Sequence, residues 1–250
     1  MKMVQRSHVG KVRDHNEDCV GLYQANGGVV IGVVADGLGG HNAGEIASQE
    51  TVQIMKENLG SLPPGLSTQS KIDELSTAIE KANKRVYDLA NKNGKLQGMG
   101  CTVVTVIAEE DLLVIAHVGD SRAYLLHKGG LYQLTEDHSF VNILRKHGQI
   151  TEEEARNHPK RNMIVRAVGT NESVEVDLID TPWREGDIML LCSDGLTSMV
   201  SDREIGLVLT SSQLNMEEKA DRLIDLALDA GGADNISLIL LEHVQRSTKS

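Results

Sequence analysis

The chain has 250 residues, 40% of them hydrophobic, which is enough for one compact unit with a large core,. Only 2% of residues are aromatic and the net charge is −11; few stacking platforms and a surface that repels polyanions argue against nucleic acid as a partner. Three scattered cysteines, Cys19, Cys101 and Cys192, lack CxxC spacing, which excludes a disulfide framework and a zinc knuckle and fits a reducing compartment,.

The opening residues Met1 to Ser7 lack the apolar stretch of a signal peptide, and the longest apolar run, Val29 to Ala35, is too short to cross a bilayer,. The expectation is a soluble, cytoplasmic monomer with no membrane partner. In chain order, Val29 to Ala35 reads as a buried strand. The segment Gly60-Ser61-Leu62-Pro63-Pro64-Gly65 reads as a loop between two helices. Ile72, Leu75, Ile79, Ala82, Val86 and Leu89 recur at helical spacing,. Thr102 to Ala108 and Leu112 to Val118 are strands separated by the break Glu109-Glu110-Asp111, and Ala123 to Leu134 is a hairpin turning at Gly129-Gly130. Ile188 to Cys192 is a further strand. Ala220, Leu223, Ile224, Ala227 and Leu228 mark a helix stopped by Gly231-Gly232, and Ile236 to Leu241 is the last strand,. Hairpins with helices grouped between them predict an α+β layered fold with antiparallel sheets.

Aspartates stand at the ends of four of these strands. Asp36 closes the first, Asp120 follows Leu112 to Gly119, Asp194 follows Ile188 to Ser193, and Asp234 precedes Ile236. In antiparallel sheets the start of one strand and the ends of its neighbours share an edge, so the four can converge. Converging carboxylates repel unless protons or a cation neutralise them, and an all-oxygen set selects Mg²⁺ or Mn²⁺ over Zn²⁺. Taken singly, the Asp-Gly pairs at 36–37 and 194–195 read equally as strand-end turns. His41, five residues after Asp36 beside Gly37-Leu38-Gly39-Gly40, is a candidate proton-handling residue,. The chain has no GxxxxGK[ST] loop, Cys-x₅-Arg cradle, GxSxG elbow, HExxH or HxH, which removes nucleotide-loop, cysteinyl-phosphate, serine-hydrolase and zinc-hydrolase chemistry.

Seven motifs then occur in order: Arg13-Asp14-His15-Asn16-Glu17-Asp18, Ala35-Asp36-Gly37-Leu38-Gly39-Gly40-His41, Gly98-Met99-Gly100-Cys101-Thr102, Gly119-Asp120-Ser121-Arg122-Ala123, Asp137-His138-Ser139, Cys192-Ser193-Asp194-Gly195-Leu196 and Ala233-Asp234-Asn235. With them, nearly the whole chain resembles the type 2C, or metal-dependent, Ser/Thr protein phosphatases, and most of all their small soluble bacterial members. The resemblance implies a four-layer α-β-β-α sandwich, two central antiparallel sheets flanked by helices. It implies a catalytic domain over residues 1–244, a flap at 145–170 within it, and a short C-terminal tail at 245–250.

It also implies a site. Asp36 would bridge two Mn²⁺ or Mg²⁺ ions, the Gly37 carbonyl would contact the first, and Asp194 and Asp234 would hold the second. Asp120, with Asp194, would serve a third, weaker ion. Arg13 would bind the phosphate, Glu17 and Asp18 would accept hydrogen bonds from ion-bound waters, and Asn235 would stabilise the Asp234 turn. The reaction implied is direct hydrolysis by a water shared between the ions, on phosphorylated proteins and opposite a cognate Ser/Thr kinase. Animal members carry a histidine directly after the first Asp-Gly; Leu38 stands here, which leaves the general acid open between His41 and an ion-bound water. A metal phosphoesterase for a small phosphorylated molecule and a non-catalytic phosphoprotein-binding module are the alternative readings.

Overall fold

The computed structural model describes residues 1–40 and 43–244. One sheet is ordered β1 (Lys2–His8), β11 (Ile236–Glu242), β10 (Ile188–Cys192), β7 (Arg122–His127) and β8 (Gly130–Gln133). The other runs β2 (Asp18–Gln24), β3 (Val30–Leu38), β5 (Val103–Glu109), β6 (Leu112–Val118) and β9 (Asp177–Pro182), with the short β4 (Gly100–Cys101) on the end of β3. Every strand pairing is antiparallel.

The central strands read as unbroken apolar runs because both of their faces are covered. Along β3, Ile31, Val33 and Ala35 pack under α1 (Ala43–Leu59) and α2 (Thr68–Lys92). Val30 and Val34, on the opposite face, meet Met189, Leu191, Ile239 and Leu241 of the other sheet. The alternation repeats in β10, where Leu190 and Cys192 lie under α5 (Asp194–Thr197), α6 (Asp202–Thr210) and α7 (Met216–Asp229). Three apolar layers therefore separate four structural layers, the expected α-β-β-α sandwich. Gly32 makes room between the sheets: a Cβ there would touch Leu191 and Ile239.

The structure adds elements that periodicity does not announce. β1 exposes most of its residues and buries Val4 alone, and β9 is half exposed, as suits strands at the sheet edges,. α3 (Phe140–Lys146) and α4 (Glu152–Arg156) occupy the segment expected to form the flap and are too short to show a helical stripe. The hairpin turns at Lys128-Gly129, one residue earlier than Gly129-Gly130, with φ of +50° and +81°, a pair of left-handed residues that matches the twist of the flanking strands. The expected tail at 245–250 lies outside the described residues.

Leu191, 0% exposed between the sheets, tests this packing. Leu191→Ala should lower unfolding stability by about 2–5 kcal/mol, seen as a lower urea midpoint at unchanged slope.

Candidate metal centre

The strand registers bring the aspartates together. Asp18, the first residue of β2, lies directly opposite Asp36 on β3. The end of β3 adjoins the start of β5, and Val103 of β5 is paired with Val118 at the end of β6, two residues before Asp120. In the other sheet Cys192 pairs with Leu238, so Asp194 and Asp234 flank the same edge. Asp36 is not a terminal residue: β3 continues through Gly37 and Leu38, which pair with Cys101 and Gly100. The backbone there is tightly wedged. A Cβ on Gly37 would collide with the Gly44 carbonyl at the start of α1, and one on Gly195 would collide with the Asn235 carbonyl. Glycine in these two motifs is thus required by close approach of backbone to backbone.

Burial and like charge act on the same atoms. Burial, followed by Asp18 and Asp194, holds the Asp36 carboxyl well above the ordinary range. Asp18 is pushed up to about 7 by burial, despite hydrogen bonds from Ser193 and Ser237. Asp120 is pushed up to about 8 by burial and then by Asp194. Asp194 is raised by burial and then by Asp234, although a hydrogen bond with Asp36 works in the other direction. Two of the oxygens, Asp18 Oδ1 and Asp120 Oδ1, are buried with no hydrogen-bond partner. Among the described residues, Asp234 alone of these five has an ion pair, with Arg13 Nη2 at 2.8 Å. Five carboxylates with two buried oxygens unpartnered and a single ion pair among them have the donor set and the deficit that a hard divalent cation meets,. Asp18, Asp36, Asp120, Asp194 and Asp234 are the residues that could hold such ions.

The surroundings fix these carboxylates in place. Ser193 Oγ donates to Asp18 Oδ2 at 2.8 Å and accepts from Ser237 N–H at 3.0 Å. The Asp36 N–H donates to Thr102 Oγ1 at 3.2 Å, and Thr102 N–H donates to the Asp36 carbonyl at 2.8 Å. Asn235 staples the N-terminal loop: its Nδ2 donates to the carbonyls of Val9 and His15, and its Oδ1 accepts Glu17 N–H at 2.8 Å. That staple brings Arg13 to Asp234 although 221 residues separate them. Half of the Arg13 side chain stays open to solvent. Glu17 lies against Gly44 and is raised chiefly by burial. His41 lies outside the described residues. Spacing in the sequence gave no hint of Ser193, Ser237 or Thr102 as supports, and the place of Asp18 opposite Asp36 is visible only once the β2–β3 register is known. Cys101 is buried beside Thr51, and burial pushes its thiol up to about 12, so it is no nucleophile,.

A groove of about 990 Å³ runs from Asp120 and Asp194 past Arg145, Arg156 and Arg161 to Arg203 on α6. Arg166 is turned elsewhere, to Asp177 and Glu175.

An α-β-β-α sandwich with acidic strand ends converging at one edge is the architecture of a metal-dependent phosphatase, and comparison with known proteins gives the family. The family model described as Protein phosphatase 2C matches residues 4–229, and the chain belongs to that family, in its bacterial branch. The serine/threonine phosphatase stp of Listeria monocytogenes is 41% identical over 238 residues, 95% of this chain and 94% of that one. The serine/threonine protein phosphatase PstP of Mycobacterium tuberculosis is 39% identical over 98% of this chain and 45% of its own length. Among solved structures, serine/threonine phosphatase Stp1 from Staphylococcus aureus superposes with a TM-score of 0.92 at 38% identity, covering 98% and 95% of the two chains. The catalytic domain of PstP in complex with two manganese ions superposes with a TM-score of 0.85 at 37% identity, covering 98% of each.

The raised carboxyls set a pH dependence. Asp18 near 7 and Asp120 near 8 lie above the ordinary 3.8, so the folded state holds their protons more tightly than the unfolded chain. Their contribution is complete below pH 3.8 and is lost as pH rises to about 8. Protein stripped of divalent ions should therefore show a falling Tm across this window, and Asp194→Asn, which removes the carboxyl that raises both Asp18 and Asp120, should flatten the fall. A slope unaffected by the substitution would contradict the repulsion.

Proposed function

We propose that the chain is a serine/threonine phosphoprotein phosphatase working with two Mn²⁺ or Mg²⁺ ions at the carboxylate cluster. The observation that carries this reading is the set of buried, mutually repelling aspartates, two of whose oxygens have no partner, in a member of the protein phosphatase 2C family. In this reading Asp36, the Gly37 carbonyl, Asp194 and Asp234 would hold the two ions, and Asp120 with Asp194 would hold a third, weaker one. Ions bound there supply a water nucleophile and offset charge on the phosphoryl oxygens.

The protein's own groups do the rest. Asp18 and Glu17 accept hydrogen bonds from water at the site, and Ser193 and Asn235 hold Asp18 and the Glu17 loop in position,. Arg13 sits over Asp234 with half its side chain free; its planar guanidinium suits two phosphoryl oxygens at once and orients the phosphate. The groove beside Asp120 and Asp194 mixes arginines with the carboxylates of Glu136, Glu152, Asp202 and Glu204, so the phosphoprotein substrate rests on the family and not on the groove's charge. Residues 1–244 act as one catalytic unit with 145–170 as its flap. No helix among the described residues is long and apolar enough to cross a membrane; work in the cytoplasm, as a monomer and opposite a Ser/Thr kinase, is part of the same proposal.

Purified protein with Mn²⁺ should release phosphate from a phosphothreonine peptide, and small phosphorylated metabolites should compete poorly; the reverse preference would replace the phosphoprotein reading. Asp36→Asn and Asp194→Asn should bring turnover to background and remove Mn²⁺ binding seen by calorimetry. Arg13→Ala should mainly raise KM, by roughly ten- to a hundredfold for the loss of about 1.5–3 kcal/mol of charged hydrogen bonding.

A further inference from the structure

Among the described residues, His117, His138 and Asp177 form a group whose ligand-type atoms lie within 4.8 Å of one another. The hydrogen bonds around His138 decide what this group does. The N–H of Gly119 donates to His138 Nδ1 at 3.0 Å, so Nδ1 presents its lone pair and the imidazole proton resides on Nε2. Nε2 lies 3.2 Å from Asp177 Oδ2 and donates to it. Arg166 Nη1 lies 3.0 Å from the same Nε2 and donates to Asp177 Oδ1. A cation at Nε2 would need that nitrogen's lone pair, moving the proton to Nδ1, where it would face the Gly119 N–H. A metal ion is therefore disfavoured here, and so is a second proton on the ring.

His138 reaches further through its backbone. Its N–H donates to the Gly119 carbonyl at 2.9 Å, and its carbonyl accepts from Val165 N–H at 2.9 Å. Ser139 is bridged to Ile164 and caps α3. Its neighbour Asp137 grips Arg122 through both guanidinium arms, at 2.8 and 2.7 Å. Asp120 thus sits in a turn held before by His138 and after by Asp137, and the same three-residue motif carries both ends of the flap. His117 stacks on the ring with centroids 4.6 Å apart, and its Nε2 donates to the Glu136 carbonyl at 2.9 Å. Burial, and then His117, holds the His138 imidazole below its usual range, in agreement with a neutral ring.

We infer that His138 is a positioning residue, held in its Nε2–H tautomer by the Gly119 N–H on Nδ1 and by Asp177 at Nε2, that fixes the Gly119-Asp120 turn and ties it to the flap residues Ile164 to Arg166. Asp177 and Arg166 meet the ring at Nε2, and Asp177 is also paired with His117 in the β6–β9 ladder. The effect on turnover rests on the phosphatase reading above; the tautomer and the hold on Gly119 do not.

The test uses ¹⁵N-labelled full-length protein without divalent ions or substrate. The ring nitrogens of His138 should report Nε2–H, and the Gly119 amide should exchange slowly. His138→Ala should speed Gly119 exchange roughly tenfold or more while amides of β11, in the core, keep their protection. His138→Asn, whose Oδ1 replaces Nδ1, should restore much of that protection. Asp177→Asn, which retains the ring but frees its tautomer, should speed Gly119 exchange as well. With phosphopeptide and Mn²⁺, His138→Ala should cost about ten- to a hundredfold in kcat, with KM nearly unchanged. An Nδ1–H or doubly protonated ring at neutral pH overturns the inference. So does unchanged Gly119 exchange in either His138→Ala or Asp177→Asn, or stoichiometric Zn²⁺ binding that shifts the His117 and His138 ring nitrogens. The exchange and ring-nitrogen results stand even if no phosphatase activity is found, so failure of the functional reading would be told apart from failure of this one.

Discussion

Repulsion among buried carboxylates is the constraint on which the rest of this molecule depends. Asp18, Asp36, Asp120 and Asp194 are all held above the ordinary carboxyl range, with burial as the leading cause in each. Such an arrangement costs folding energy, and a chain tolerates it only where the surrounding structure is stable enough to impose it and a ligand exists to relieve it. Here three continuous apolar layers supply the stability, and the cluster sits at the one edge where strand ends from both sheets can reach it.

The antiparallel topology makes that edge possible. Because neighbouring strands run in opposite directions, a residue beginning β2, one near the end of β3, one following β6 and one preceding β11 arrive at the same place,. The loops between them are then pinned by side chains with several bonds each. Asn235 holds the loop that carries Arg13 and Glu17, Ser193 holds Asp18, and His138 with Asp137 holds the turn of Asp120. These supports hold the loops and one oxygen of Asp18 while leaving Asp18 Oδ1 and Asp120 Oδ1 unpartnered, which suits a preorganised cation site,.

The sandwich was legible in the sequence where burial is two-sided. The runs Leu112 to Val118 and Ile188 to Cys192 coincide with β6 and β10 residue for residue. Strands exposed on one side, such as β1, and helices of a few residues, such as α4 and α5, leave no periodic mark and appear only in three dimensions,. Strand-end position was enough to nominate Asp36, Asp120, Asp194 and Asp234. It could not reveal that Asp18 faces Asp36, because that depends on register. The ring of His138 was hidden for a related reason: its role lies in which nitrogen accepts the Gly119 N–H. The Asp-Gly pairs look like ordinary turns in one dimension, yet Gly37 lies within a strand against the start of α1 and Gly195 against the Asn235 backbone.

The central claim is that the carboxylate cluster exists to hold divalent cations. Anomalous diffraction from crystals equilibrated with Mn²⁺ tests it most directly. The account predicts two strong manganese peaks among Asp36, Asp194 and Asp234, with a weaker one beside Asp120. Absence of manganese at these aspartates, or manganese only at His117, His138 and Asp177, would contradict it.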